Sequence, residues 1–226
     1  MVAAVSIFVL RCGEAPSPIS LTSLPVTNTS ASPDAVDVDA LFAVLDADEK
    51  PRLIVLGDDA ALAAVLTRLM RSERLHVEVA YVPAQKSAAS RIYRTGVGAA
   101  AAAKALSGTA TPTPLIRDDT GTALVGSATI TGPAGGQLDG EAYVDDTKLF
   151  TGAAAAVHLE PTADMPGVRG YADRGRVLRP RRRWAAGRAV QLGSPAAVVT
   201  RDGVATARAV KRSTFYRHSD PWLVVG

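Results

Sequence analysis

The sequence predicts an α/β chain in which an N-terminal domain built on a parallel sheet is followed by an antiparallel, β-rich, sandwich-like domain. The run Leu53–Leu56 is continuous and branched, as in a parallel strand that is covered on both faces. The turn Gly57–Asp59 then leads into an amphipathic helix. Beyond Thr113, short alternating runs with turn residues between them replace the helical pattern. We therefore expect the domains to span residues 1–112 and 113–226.

The helix after the turn carries its apolar residues in the i, i+3, i+4, i+7 stripe of a helix that packs on a sheet. Further strands are expected at Val2–Leu10 and Val77–Val82, and an Ala-rich helix at Gly98–Leu106. Asp37 is expected to cap a helix that ends at Lys50. Residues 14–33 are rich in Pro, Ser and Thr and predict a long loop with at most one short strand.

The second domain is predicted from pairs of short strands around turn residues. One pair flanks the turn Asp118–Gly121, and another flanks Asp202-Gly203, a two-residue turn typical of a β-hairpin. The flanking strands are Leu115–Arg117 with Thr122–Ile130, and Val198–Arg201 with Val204–Lys211. Gly132–Gly140 is expected to be a connector, and Trp222–Val225 a final strand.

Composition limits the class of protein. No apolar run approaches the roughly 20 residues that span a bilayer, and the apolar start of the chain lacks the basic residues of a secretion signal. The single cysteine, Cys12, excludes an internal disulfide and suits a reducing compartment. A buried thiol is the expected role for Cys12, and a nucleophile is the alternative. We therefore expect a cytoplasmic protein.

Charge is unevenly distributed along the chain. Residues 168–226 contain 13 Lys and Arg against 3 Asp and Glu, whereas residues 1–167 contain 12 against 19. The basic end has an Arg tract, with Trp184 beside its last consecutive arginines. The tract comprises Arg174, Arg176, Arg179, Arg181, Arg182, Arg183 and Arg188. Its central residues Arg179, Arg181, Arg182 and Arg183 are the candidates for binding an anionic surface. The alternative is a solvated loop.

Three stretches, in this order and at this spacing, resemble the catalytic domain of diacylglycerol kinases and related bacterial lipid kinases. That family has a GGDGT turn before an apolar helix, and Gly57-Asp58-Asp59-Ala60-Ala61 occupies this place. A later P-x-G-T-x-N-D stretch corresponds to Val82–Ala89, and a D-G-E turn is similar to Asp202-Gly203-Val204. The resemblance implies a fold like that of diacylglycerol kinases and NAD kinases, with the final strand Trp222–Val225 returning to the first domain.

The sequence departs from that family where ATP would be held. Glycines in such a turn let backbone N–H groups approach nucleotide phosphates, but the second Gly is Asp58, the third is Ala60 and the Thr is Ala61. The second stretch lacks the Gly and Thr, and Ala88-Ala89 replaces the Asn-Asp pair. A triphosphate would therefore meet two carboxylates in place of neutral donors.

Gly57, Asp58 and Asp59 are the candidate residues for a nucleotide cofactor. Their turn has three interpretations: a structural turn with Asp59 favoured by the helix dipole, a weak ATP and Mg²⁺ site, or an active kinase site. We adopt the first, and predict no catalytic residue, no metal ligand and no cofactor beyond weakly bound ATP with Mg²⁺. The histidines His76, His158 and His218 lack the spacing of metal ligands and are expected to be structural.

The leading functional hypothesis is a catalytically degenerate relative of the lipid kinases that acts by binding or scaffolding. One alternative is an active, atypical ATP-dependent lipid kinase. Another is a membrane-surface or nucleic-acid binder that acts through the Arg tract. We expect an anionic phospholipid surface as partner, which would place the protein at the periphery of the membrane, and we do not expect nucleic acid, because no motif that reads it is present. An exposed strand edge in the β-rich domain would allow a homodimer.

Overall fold

A computed structural model describes residues 5–175 and 183–226 of the chain. The chain divides into two units, one comprising Met1–Thr113 with Asp220–Gly226 and the other Pro114–Ser219. Four arginines of the Arg tract lie outside the described residues, and the predictions made for them are not tested by the structure: Arg176, Arg179, Arg181 and Arg182.

The first unit is built on a six-stranded sheet. Its strands are β1 (Ser6–Cys12), β2 (Val26–Thr29), β3 (Pro51–Leu56), β4 (Glu78–Val82), β5 (Ala110–Thr113) and, from the chain end, β17 (Trp222–Val225). They follow the order β2-β1-β3-β4-β17-β5, in which only the β17–β5 pair is antiparallel. Strand β3 lies inside the sheet and is buried at every position. The predicted parallel sheet with a central Leu53–Leu56 strand is confirmed.

Five α-helices accompany this sheet in the described residues. They are α1 (Ala35–Asp39), α2 (Phe42–Leu45), α3 (Asp59–Arg71), α4 (Ala88–Ile92) and α5 (Gly98–Ser107). Helix α3 buries its apolar stripe, as predicted, and the alanines of α5 pack on the face of the sheet that carries Ile54 and Leu56. No helix of the described chain is both long and apolar enough to cross a bilayer.

The helix predicted to start at Asp37 begins earlier and is divided. Asp34 is the N-cap of α1, and its carboxylate accepts hydrogen bonds from the backbone N–H groups of Val36 and Asp37. Asp37 in turn accepts one from the N–H of Asp34, which completes a capping box. The prediction assigned the cap to the wrong aspartate of this pair, because both fit the sequence pattern.

The second unit is an antiparallel β-structure, as predicted. Its strands are β6 (Ile116–Asp118), β7 (Ala123–Leu124), β8 (Ala128–Thr131), β9 (Leu138–Val144), β10 (Thr147–Ala154), β11 (Ala156–Pro161), β12 (Val168–Asp173), β13 (Ala185–Gly187), β14 (Ala189–Arg201), β15 (Val204–Ala205) and β16 (Val210–Arg217). The long strand β14 pairs with β16 and β9 along its first half and with β8 along its second. It therefore belongs to both faces of the sandwich, and the buried core lies between them.

The sequence pattern predicts a connector at Gly132–Gly140 and no strand between it and the Arg tract. The structure has four strands there, β9 to β12, and β9 already begins at Leu138. These strands contain many Ala and Gly residues, whose small side chains blur the alternation of apolar and polar positions on which strand prediction depends.

Candidate functional site

The candidate site lies at the edge of the first sheet where parallel strands end together. Cys12 ends β1, the turn Gly57-Asp58 follows β3, and Pro83 follows β4. Because β1, β3 and β4 are parallel neighbours, these three places lie at the same edge. Ligands of open α/β sheets bind at the carboxyl ends of the strands.

Gly57 occupies a position in which the chain itself fills the space that a side chain would need. A Cβ atom placed on it would lie 2.8 Å from the Cβ of Ala61 and 3.2 Å from the Cβ of Cys12. The close packing of the first turn of α3 on the end of β1 therefore explains this glycine without a ligand.

Asp58 is the N-cap of α3. Its backbone is extended, with φ −96° and ψ −176°, and its carboxylate Oδ1 accepts a hydrogen bond of 2.9 Å from the N–H of Ala61. Such a cap satisfies one of the N–H groups that have no partner inside the helix.

Asp59 joins three segments of the first unit. Its Oδ1 accepts a hydrogen bond of 2.8 Å from the hydroxyl of Tyr81 in β4, and its Oδ2 accepts one of 3.1 Å from the N–H of Ala89 in α4. Tyr81 is buried, and its burial together with the charge of Asp59 raises the pKa of the Tyr81 hydroxyl, which therefore remains a donor. Tyr81 could not be identified from the sequence, because nothing in a buried apolar strand marks a tyrosine as a partner of a carboxylate 22 residues away.

The loop after β4 is closed by its own hydrogen bonds. The carbonyl of Pro83 accepts a bond of 2.8 Å from the N–H of Gly98. Ser87 and Ser90 form a capping box at the start of α4, in which each hydroxyl accepts a hydrogen bond from the other residue's N–H. This loop occupies the place of the family's P-x-G-T-x-N-D stretch.

A shallow groove lies beside this edge. Its volume is about 470 Å³, and it is lined mainly by apolar atoms of residues 16–20, the end of β4 and the start of α5. Ile19 is 90% exposed and forms part of its wall.

The third stretch of the resemblance, in the second unit, is a tight hairpin. Asp202 and Gly203 both have positive φ, 45° and 85°, and connect β14 to β15 as the predicted two-residue turn. The Asp202 carboxylate accepts hydrogen bonds of 3.1, 2.8 and 2.9 Å from three consecutive N–H groups, those of Val125, Gly126 and Ser127. The side chain thus fastens the hairpin to the segment before β8.

The three histidines are dispersed. His76 is exposed in the first unit, while His158 stacks on Tyr171 and His218 donates its backbone N–H to the carbonyl of Leu115 in the second. Within residues 5–175 and 183–226, no three Asp, Glu, His or Cys side chains are grouped so that they could hold a metal ion.

Solved structures have the same architecture over nearly the whole chain. A diacylglycerol kinase from Bacillus anthracis str. Sterne superposes with a TM-score of 0.75 at 10% identity, covering 97% of this chain and 96% of that one. An NAD kinase from Archaeoglobus fulgidus in complex with ATP gives a TM-score of 0.61 at 10% identity, covering 97% and 93%. The chain has the diacylglycerol kinase and NAD kinase fold. No family model and no curated protein matches the sequence.

Proposed function

We propose that this kinase-fold protein is catalytically degenerate and acts by binding or scaffolding, not by phosphoryl transfer. The observation that carries the proposal is the engagement of the turn carboxylates. Asp58 caps α3, and Asp59 holds Tyr81 and the start of α4. A Mg²⁺-bound triphosphate needs free backbone donors and free carboxylate oxygens at such a turn.

Residues of the first and third stretches of the resemblance are engaged by contacts within their own units. The space beside Gly57 contains Ala61 and Cys12, and the carboxylate of Asp202 is surrounded by three backbone N–H groups. The residues of the turn therefore fit a structural role better than they fit ATP with Mg²⁺, and we derive no chemical step through that group.

Calorimetry with ATP and Mg²⁺ tests the proposal. We expect no micromolar binding by the wild type and no transfer of labelled phosphate to diacylglycerol. Asp59→Ala removes the acceptor of Tyr81 and Ala89, and Asp59→Asn keeps an acceptor oxygen. Asp34→Ala is the control, since it removes a hydrogen-bonded aspartate elsewhere in the unit. Micromolar ATP binding that is lost in Asp59→Ala and retained in Asp34→Ala would overturn the proposal in favour of a nucleotide-binding kinase.

We further propose that the binding partner is an anionic surface that meets the Arg tract. Seven arginines and no acidic residue occur between positions 174 and 188. Exposed arginines close to an anionic membrane attract it by about 1 kcal/mol each. Retention of the protein by phosphatidylglycerol vesicles, and its loss at high salt, is the expected result; equal retention by neutral vesicles would contradict it.

A further inference from the structure

A row of three aromatic rings in the second unit runs over the neighbouring strands β11 and β12 to the residue before β13. His158 of β11 and Tyr171 of β12 are directly paired, and their rings stack with centroids 4.9 Å apart. Trp184, the residue before β13, packs its ring against Tyr171 at 4.6 Å and an interplanar angle of 72°. The indole is therefore held at the open end of the row.

Arg169 contacts the indole of Trp184 from a second direction, and Glu160 holds Arg169 in place. The guanidinium carbon of Arg169 lies 4.6 Å from the centre of the Trp184 ring. Arg169 also donates a hydrogen bond of 2.8 Å from Nε to the buried carboxylate of Glu160, its partner on β11. Trp184 nevertheless remains half-buried. Part of an oriented indole is thus presented to solvent.

Two exposed arginines lie at the end of the strand pair that also holds this indole. Strands β12 and β13 are antiparallel neighbours, so that the residues after Asp173 and those before Ala185 lie at the same end of the pair. Arg174 and Arg183 are exposed there. Asp173, an acidic residue at this end, is also exposed and accepts a hydrogen bond of 2.9 Å from the N–H of Gly175. Because the two arginines outnumber this carboxylate, the described residues at this end of the β12–β13 pair carry a net positive charge next to the indole.

We infer that this surface, formed by Arg169, Arg174, Arg183 and Trp184, docks on an anionic phospholipid bilayer with Trp184 as its interfacial anchor. Tryptophan concentrates at the membrane–water interface, and arginines next to it attract anionic headgroups. Single-stranded nucleic acid needs ring surface on which bases stack. Here His158 and Tyr171 stack on each other, and Arg169 covers one face of Trp184, which leaves little for bases.

This surface rests on the binding role proposed above and gives it a location, and its docking on a bilayer can be tested without ATP. The chain has two tryptophans, so Trp222→Phe leaves Trp184 as the sole indole. On vesicles of phosphatidylcholine mixed with phosphatidylglycerol, we expect its emission to shift to the blue. Nitroxide lipids labelled near the glycerol backbone should quench it more than lipids labelled at the chain end, and added salt should reverse both effects.

Charge variants complete the test. Arg174→Ala with Arg183→Ala should weaken vesicle binding about 30-fold, since roughly 1 kcal/mol for each arginine corresponds to about a factor of five. Arg208→Ala with Arg212→Ala removes two exposed arginines elsewhere in the same unit and should have a smaller effect. Equal losses in the two double variants would overturn the inference. Unchanged Trp184 emission on anionic vesicles would also overturn it, and tight binding of single-stranded RNA in that case would favour nucleic acid instead.

Discussion

Replacing Arg52 by Met should be among the most destabilising single changes in the first unit. Arg52 lies in β3, is 4% exposed, and pairs with Glu78 of β4 through Nε at 2.7 Å and Nη2 at 2.6 Å. The same guanidinium donates to carbonyl oxygens at the end of α5, with distances of 2.9 Å to Ala105 and 3.0 Å to Gly108. One side chain thus joins two strands and closes the carboxyl end of a helix.

The magnitude follows from what the substitution leaves behind. Methionine fills a similar volume but leaves the carboxylate of Glu78, 16% exposed, without its cation, and leaves the terminal carbonyls of α5 without their donor. Breaking a buried ion pair from one side costs about 3–5 kcal/mol. With a typical urea dependence of about 1.5 kcal/mol/M, the midpoint of unfolding should fall by about 2 M or more.

The two tryptophans make the assay specific. Trp222 lies buried in β17, so that in a Trp184→Phe background its fluorescence reports the unfolding of the first unit. Adding Glu78→Met to Arg52→Met should restore part of the lost free energy, because the unpaired buried carboxylate is removed. Lys86→Met, which changes an exposed loop cation, should alter stability by less than about 0.5 kcal/mol. A loss below about 1 kcal/mol for Arg52→Met would refute the reasoning.

Two further predictions concern Asp202 and Cys12. Asp202→Ala should destabilise the second unit by about 2–4 kcal/mol, because three N–H groups lose a charged acceptor. Asp202→Asn should reduce the free energy of unfolding by less. Urea unfolding followed by the fluorescence of Trp184, in the Trp222→Phe background, compares the two variants. Burial raises the pKa of the Cys12 thiol from 9.0 to about 11, so its contribution to stability is complete below pH 9 and is lost as the pH rises towards 11. Alkylation of the folded protein at pH 8 should be at least about 100-fold slower than that of an unperturbed thiol; rapid labelling would contradict the assigned burial.

The central strand of the first unit and the turn and helix that follow it could be predicted because local signals agree with the tertiary fold. Leu53–Leu56 is apolar at every position, and such a branched run is typical of a strand covered on both faces. The apolar stripe of α3 indicates the one face of this helix that is buried. Strands β9 to β12 were missed, since sequences such as the alanine run that joins β10 to β11 carry no periodicity and become strands only by pairing.

The candidate turn could be located from sequence, but its chemistry could not be derived. Asp58 and Asp59 are adjacent carboxylates, and their sequence fits a metal site as well as it fits a helix terminus. In the structure Asp58 is the N-cap of α3, and Asp59 accepts hydrogen bonds from Tyr81 and Ala89, which are 22 and 30 residues away. The donors that bind the Asp59 carboxylate are set by the positions of β4 and α4, and these positions cannot be read from the spacing of residues in the sequence.

The two-part fold class, the position of the turn and the concentration of arginines near the chain end could all be predicted, because periodicity, turn residues and charge are local properties of a sequence. The partners of single side chains follow from the way in which distant elements pack together. Arg52 looks like a strand residue in the sequence and becomes a buried link between β3, β4 and α5. Trp184 looks like one aromatic beside a basic tract and becomes the end of a row of rings. Such contacts arise when strands distant in sequence are paired in one register, which sets the positions of side chains that no local pattern connects.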